Sequence, residues 1–231
     1  MSARVGIVVF ARYDSTRLPG KALRPVGGMP LLERVIRRAK LCSLPVFLAT
    51  TDLPSDDALV ALAETLGVQS FRGSSDRVLE RAVLAAETFG LDVFVRLCGD
   101  RPLFPLDDLR GVVSLLQKDS GADDGSPPDL ITTYVPDVTP RGLTTELIRT
   151  STLRTILERK PTADDQEHVT PRFYDHPVGF RIVRLSATTI GCACPGFALD
   201  TEADLRRLES IFAVSAALDL SPSEADRIYR G

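Results

Sequence analysis

The run Val-Gly-Ile-Val-Val-Phe at residues 5–10 passes without a break into Ala-Arg-Tyr-Asp-Ser-Thr-Arg-Leu-Pro-Gly-Lys at residues 11–21. A β-branched run with no polar alternation predicts a buried strand, and the polar, basic, Gly-containing segment after it predicts a loop at that strand's carboxyl end. In open α/β sheets that edge is where ligands sit. The chain is therefore constrained from its first twenty residues toward an α/β fold with a binding loop after the first strand.

The loop's chemistry is one-sided. Arg12, Arg17 and Lys21 bring three cations together, Ser15 and Thr16 add hydroxyl donors, and Pro19-Gly20 sets a turn with unhindered backbone N–H groups. Arg offers planar bidentate donors and Lys a point charge, a set suited to a polyphosphate whose leaving group gathers negative charge. A solvated surface loop would carry the same residues. The spacing matches neither a Gly-x4-Gly-Lys-Ser/Thr loop nor a Gly-x-Gly-x-x-Gly loop.

Similar polar clusters recur along the chain: Pro30-Leu31-Leu32-Glu33, Ala49-Thr50-Thr51-Asp52, Phe71-Arg72-Gly73-Ser74, Gly99-Asp100-Arg101-Pro102-Leu103, Pro140-Arg141-Gly142, Glu167-His168-Val169-Thr170-Pro171 and Leu199-Asp200-Thr201. With the loop at 11–21, this ordered series resembles the acylneuraminate and KDO cytidylyltransferases, and among them most closely the SpsF-like proteins of spore-coat polysaccharide synthesis. The resemblance covers nearly the whole chain. It implies a doubly wound, mostly parallel α/β sheet of the nucleotide-diphospho-sugar transferase (GT-A-like, Rossmann-like) kind. It also implies one domain over 1–231 with a small lid inserted near 136–180, and transfer of CMP from CTP to a sugar acid.

The resemblance carries roles onto particular positions. Ala11, Arg12, Ser15, Thr16, Arg17, Lys21, Gly73, Ser74, Asp76 and Gly99 are implied nucleotide contacts, with Arg12, Arg17, Lys21 and Asp100 in the catalytic set. Asp100 and Asp200 are the implied Mg²⁺ ligands, consistent with the preference of Mg²⁺ for one or two carboxylates plus phosphate oxygens and water. Arg141, Glu167 and His168 are implied on the acceptor side. For each a plainer reading stays open: Asp100 pairing with Arg101, Ser74 or Ser75 capping the next helix, Arg141 solvated, His168 packing a helix. Asp14 departs from the family's usual Gly and adds an anion to a loop meant for triphosphate. Unless it pairs with Arg12 or Arg17, or contacts metal, it should weaken nucleotide binding.

Composition sets the remaining bounds. The chain has 231 residues, 44% hydrophobic and 26% charged, near globular averages. No apolar stretch reaches the roughly 18 residues of a spanning helix, and no signal-peptide pattern precedes the first strand, so a cytoplasmic protein without a membrane partner is expected. A net charge of −3 argues against a nucleic-acid partner. Cys42 and Cys98 stand apart, and the pair Cys192 and Cys194, with only two histidines in the chain, falls short of a structural zinc site.

In order, the patterns predict helices at 30–41 (its basic face solvated), 55–66 (capped by Ser55), 76–89, 105–118, 150–160, 164–174 and 201–217. A short terminal helix at 221–230 follows. Strands are predicted at 46–50, 68–71, 91–97, 130–134, 180–185 and 196–199, with an exposed loop at 119–129. Thr201 and Asp204 form an expected capping box. The family's dimer contacts near 164–174 imply a homodimer. Rival readings are a glycosyltransferase of related fold, which would want an Asp-x-Asp motif that this chain lacks, Asp123-Asp124 lying in the exposed loop, a guanylyl- or uridylyltransferase, and a catalytically silent relative on account of Asp14.

Overall fold

The computed structural model describes residues 3–118, 127–136, 138–159, 161–188 and 196–231. The loop residues 119–126 with Asp123 and Asp124, the Cys192 and Cys194 pair, and Lys160 at the predicted helix end lie outside the described residues.

Strand β1 (Val5–Phe10) has four consecutive buried residues, as its unbroken apolar run requires. Its neighbours are β4 (Val46–Thr51) and β6 (Val93–Cys98), both parallel to it, with Val8 opposite Phe47 on one side and Arg96 on the other. β5 (Gln69–Gly73) extends the sheet beyond β4. On the far side come β8 (Glu146–Arg149), β7 (Leu130–Thr132) and β9 (Ile182–Arg184), giving the order β5-β4-β1-β6-β8-β7-β9. β8 runs antiparallel to both its neighbours. A hairpin of β2 (Pro25–Val26) and β3 (Met29–Pro30) stands apart from the sheet.

Because side chains alternate along a strand, each sheet face feeds its own core. Ile7, Val9, Leu48, Val95 and Leu97 pack with α1 (Leu31–Lys40), α4 (Leu106–Lys118), α8 (Glu202–Val214) and α9 (Pro222–Arg230). Val8, Ala49, Phe94 and Ile148 pack with α3 (Val78–Thr88), α5 (Thr150–Glu158) and Phe173. α2 (Asp57–Thr65) flanks β4 and β5, ending at Gly67 with φ +63. This is the expected doubly wound, mostly parallel arrangement.

Several local expectations are corrected. The stretch 196–199 is no strand and joins no ladder; Leu199 N instead donates to Asp100 O at 2.8 Å, tying the two polar clusters together. The stretch 164–174 is two helices, α6 (Ala163–Glu167) and α7 (Pro171–Asp175), because His168 is extended (φ −123, ψ 142) and Pro171 starts a new turn. Ser55 lies in a 3₁₀ turn and caps nothing; its hydroxyl donates to Asp14 Oδ2 at 2.9 Å. α3 starts after Arg77 without a side-chain cap, although Ser74 Oγ accepts from Arg77 N at 3.3 Å. The capping boxes at Thr201–Asp204 and Ser221–Glu224 are present.

The basic face of α1 is only half solvated: Arg37 and Lys40 are exposed, but Arg34 and Arg38 are not. Arg34 and Arg38 are each 1% exposed, because the chain's end folds back over them. Arg34 donates to the carbonyls of Val26, Gly27 and Ala216 and stacks on Phe212; Arg38 donates to those of Phe104 and Leu218. Burial lowers both guanidinium pKa values, that of Arg38 to about 10.

Candidate active site

The loop after β1 is held by a carboxylate that no motif announces. Asp56, fully buried in the turn before α2, accepts from Tyr13 N at 2.6 Å through Oδ1, and from Thr51 N at 2.8 Å and Thr51 Oγ1 at 2.5 Å through Oδ2. Thr50 Oγ1 lies 2.7 Å from the same Oδ2 and 2.9 Å from the Ala11 carbonyl. One buried anion thus ties residues 11–13 to the end of β4. Burial would raise its pKa, but the hydroxyl and N–H donors outweigh burial and hold it low.

The other end of the loop turns back through Gly20. Its φ of +68 is left-handed, and an added Cβ would meet the Tyr13 ring at 3.2 Å. Gly20 N donates to Tyr13 O at 3.0 Å, so this N–H closes the loop rather than awaiting phosphate. Asp14 is exposed and pairs with Ser55, not with Arg12 or Arg17.

From that turn Lys21 projects onto both predicted metal carboxylates. Its Nζ lies 2.7 Å from Asp100 Oδ2, 2.9 Å from Asp200 Oδ1 and 2.9 Å from the Leu199 carbonyl. Asp100 gets there because Gly99 lets the end of β6 pass the end of β1: Gly99 N donates to Phe10 O at 2.8 Å, and a Cβ at 99 would meet the Ala11 Cβ at 2.9 Å. Arg17 Nη2 lies 3.3 Å from Asp200 Oδ1, and Arg141 Nη2 pairs with Asp200 Oδ2. Three cations therefore surround two carboxylates, and the surplus charge is positive. Burial would lower the Lys21 pKa, but Asp100 and Asp200 together raise it; burial would raise Asp200, but Lys21, Arg141 and Arg17 lower it. Lys21 and Asp200 both stay charged at neutral pH.

This cluster opens into a cleft of about 830 Å³. Of the predicted nucleotide residues, Ala11, Arg12, Ser15, Thr16, Arg17, Lys21, Asp76 and Gly99 line it, as do Asp100, Asp200, Glu167 and His168. Gly73 and Ser74 do not. The Gly73 carbonyl accepts from Asp52 N at 2.9 Å, and the Ser74 carbonyl accepts from Arg81, so these two shape the wall through Arg81 rather than face the cleft. Arg141 stands at the rim on Asp200. His168 is exposed, its Nε2 3.9 Å from Asp164 Oδ1, beyond hydrogen-bond distance.

The lining residues outside the predicted site include Arg77, Arg81, Arg96 and Gln166. Arg81 is 4% exposed, its pKa lowered by burial and by Arg12. Arg96 sits within an apolar strand run, and that was the available signal: a guanidinium in a buried strand needs a partner. Among the described residues no group of three or more His, Cys, Asp or Glu side chains could hold a metal by itself.

The family model described as Cytidylyltransferase matches residues 6–201. The chain belongs to the cytidylyltransferase family. This cytidylyltransferase is 33% identical over 227 residues to the spore coat polysaccharide biosynthesis protein SpsF of Bacillus subtilis, covering 94% of this chain and 90% of that protein. It is 36% identical over 122 residues to the 3-deoxy-manno-octulosonate cytidylyltransferase of Thioalkalivibrio sulfidiphilus, covering 50% of this chain and 47% of that one. Among solved structures, a cytidylyltransferase from Leptospira borgpetersenii superposes with a TM-score of 0.90 at 26% identity, covering 99% of this chain and 94% of that chain. The matched span of this cytidylyltransferase runs from the first strand to the cap of α8, and so includes Lys21, Asp100 and Asp200.

Proposed function

We propose that this cytidylyltransferase moves CMP from CTP onto a hydroxyl of a sugar acid, releasing pyrophosphate, to supply surface polysaccharide synthesis. The observation that carries the reading is the meeting of Lys21, Asp100 and Asp200 beside a cationic loop at the carboxyl edge of the sheet. The names of the SpsF and 3-deoxy-manno-octulosonate relatives support the substrate class and the pathway type.

In the reaction, the acceptor oxygen forms a bond to the α-phosphorus of CTP and the bond from that phosphorus to the bridging oxygen breaks. Charge builds on the departing pyrophosphate, and Arg12, Arg17 and Lys21 are the groups positioned to neutralise it, with Ser15 and Thr16 as hydroxyl donors. Asp56 keeps that loop in place. Arg81, Asp76 and the backbone around Gly99 bound the space for the nucleoside.

The donor set also fits Mg²⁺: Asp100 and Asp200 point at one common position, now taken by the Lys21 ammonium, and two carboxylates with phosphate oxygens and water are what Mg²⁺ prefers. When bound between them, the ion would neutralise phosphate charge. The reading extends, on family grounds, to a cytoplasmic homodimer with an acceptor lid drawn from the parts of 136–180 outside the core elements β8 and α5; no helix among the described residues is long and apolar enough to cross a membrane.

The test is pyrophosphate release with Mg²⁺ and CTP, UTP, GTP or ATP against a panel of sugar acids. CTP-selective release, lowered by about two orders of magnitude or more in Asp100→Asn, is expected. Release with another nucleotide, or full turnover in Asp100→Asn, would refute it.

A further inference from the structure

Three residues that line the cleft each carry a buried polar atom without a hydrogen-bond partner among the described residues: Arg81 Nε on α3, Arg96 Nε on β6 and Gln166 Oε1 on α6. Arg96 stands opposite Glu146 in the β6–β8 ladder, and its Nη1 donates to Glu146 Oε2 at 3.0 Å. Glu146 Oε1 accepts from the Tyr174 hydroxyl at 2.6 Å, which lies 3.0 Å from Thr132 Oγ1. The guanidinium is thus fixed by a chain of buried groups from three strands and α7. Yet Arg96 Nε is buried with no hydrogen-bond partner, and so is Gln166 Oε1. Both residues line the cleft.

An unpaired buried polar atom is costly, so a set of them around one cavity calls for ligands that answer them; Arg81 lies on the nucleotide side, which leaves Arg96 and Gln166 for the acceptor. The charges say which kind. Glu146 is held ionised against burial chiefly by Arg96, with which it pairs at 3.0 Å, and it engages only Nη1 of that guanidinium, so the remaining donors of Arg96 suit an anionic group. Arg141, the residue expected to take that role, is 65% exposed at its side chain and already engages Asp200.

We propose that Arg96 and Gln166 read the acceptor: Arg96 Nε–H donates to a carboxylate oxygen of a hydroxylated carboxylic acid, and Gln166 Oε1 accepts from one of its hydroxyls. Glu146 and Tyr174 are positioning residues that hold the guanidinium. The inference rests on the cytidylyltransferase reading above and, within it, selects sugar acids over neutral sugars.

The experiment is isothermal titration, with Mg²⁺ present, of the wild type, Arg96→Gln, Arg96→Lys and Gln166→Leu. The probes are CTP, 3-deoxy-manno-octulosonate, N-acetylneuraminate and the methyl esters of the two acids. The wild type is expected to bind at least one free acid tenfold or more tighter than its ester. Arg96→Gln brings that ratio to within twofold of unity, Arg96→Lys restores part of it, and Gln166→Leu weakens acid and ester alike. CTP affinity changes less than twofold throughout. An acid-to-ester ratio unchanged in Arg96→Gln, a loss of CTP affinity in that variant, or a wild type that binds neither acid overturns the inference. Should Arg96→Gln misfold because Glu146 is left unpaired, the double variant Arg96→Gln, Glu146→Gln removes the pair as a unit and is read the same way. A wild type that does not bind CTP refutes the nucleotide reading, while the acid-to-ester ratio still decides this one.

Discussion

Asp56→Asn is the sharpest test of how the loop after β1 is held. The side chain keeps its shape but exchanges one oxygen for an NH₂ group. Oδ1 accepts from Tyr13 N and Oδ2 from Thr51 N, and neither backbone N–H can turn away, so either orientation of the amide sets a donor against a donor. The hydroxyls of Thr50 and Thr51 can rotate to accept; the N–H groups cannot. Losing one hydrogen bond to a charged group and stranding a buried donor costs about 3 kcal/mol. For a domain of this size that lowers Tm by roughly 6–12 °C. The sign with pH is also fixed. The folded carboxyl titrates below its ordinary value of 3.8, so its contribution is present above that pH and is lost as pH falls through the folded value. Asp56→Asn should therefore lose stability at neutral pH and converge on the wild type in acid. The assay is thermal melting at pH 7 and at pH 4 and below, with and without CTP and Mg²⁺. A Tm within 2 °C of wild type at pH 7, or a CTP-induced shift of undiminished size, would refute the claim that Asp56 organises the phosphate loop.

Three further outcomes follow from the same geometry. Asp14→Gly removes an exposed anion whose partner is Ser55 rather than a loop cation, so CTP should bind about twofold to fivefold tighter in titration with little change in Tm; weaker binding would mean that Asp14 serves the ligand. Arg38→Met should lower Tm by about 6–12 °C, because it strands the carbonyls of Phe104 and Leu218 under the returning C-terminal segment; a melt like that of the wild type would show that the segment does not depend on them. Asp165 is lowered from 3.8 to about 2 chiefly by Arg172, so its stabilising effect is present above 3.8 and fades toward pH 2. Asp165→Asn should accordingly flatten the acid limb of the stability curve measured by denaturant unfolding between pH 5 and 2, and an unaltered limb would count against the pair.

What could be read from the chain alone divides along the range of the forces involved. The strands β1, β4 and β6 are buried on both faces, so their identity is written in local composition, and the clusters at their carboxyl ends follow from topology. The pairing of Asp100 with Asp200 comes from the resemblance, which sets Lys21 on the phosphates instead; the fold adds that Lys21 bridges both carboxylates, although 79 residues separate it from Asp100 and 179 from Asp200. The misses depend on who arrives from elsewhere. Arg34 and Arg38 sit on α1 with the spacing of a solvated stripe, and only the segment at 216–218, some 180 residues away, turns that stripe into an anchor. β8 was invisible because Glu146-Leu147-Ile148-Arg149 is too short and too charged to read as a buried strand; what makes it one is Arg96, which needs a carboxylate across the ladder. A charge within a buried run states that a partner must exist without naming it, and here the demand stands at Arg96 while the supply lies 50 residues later. The same logic applied to Arg96 Nε, whose demand none of the described residues meets, is what turns an unexplained strand arginine into a statement about the ligand.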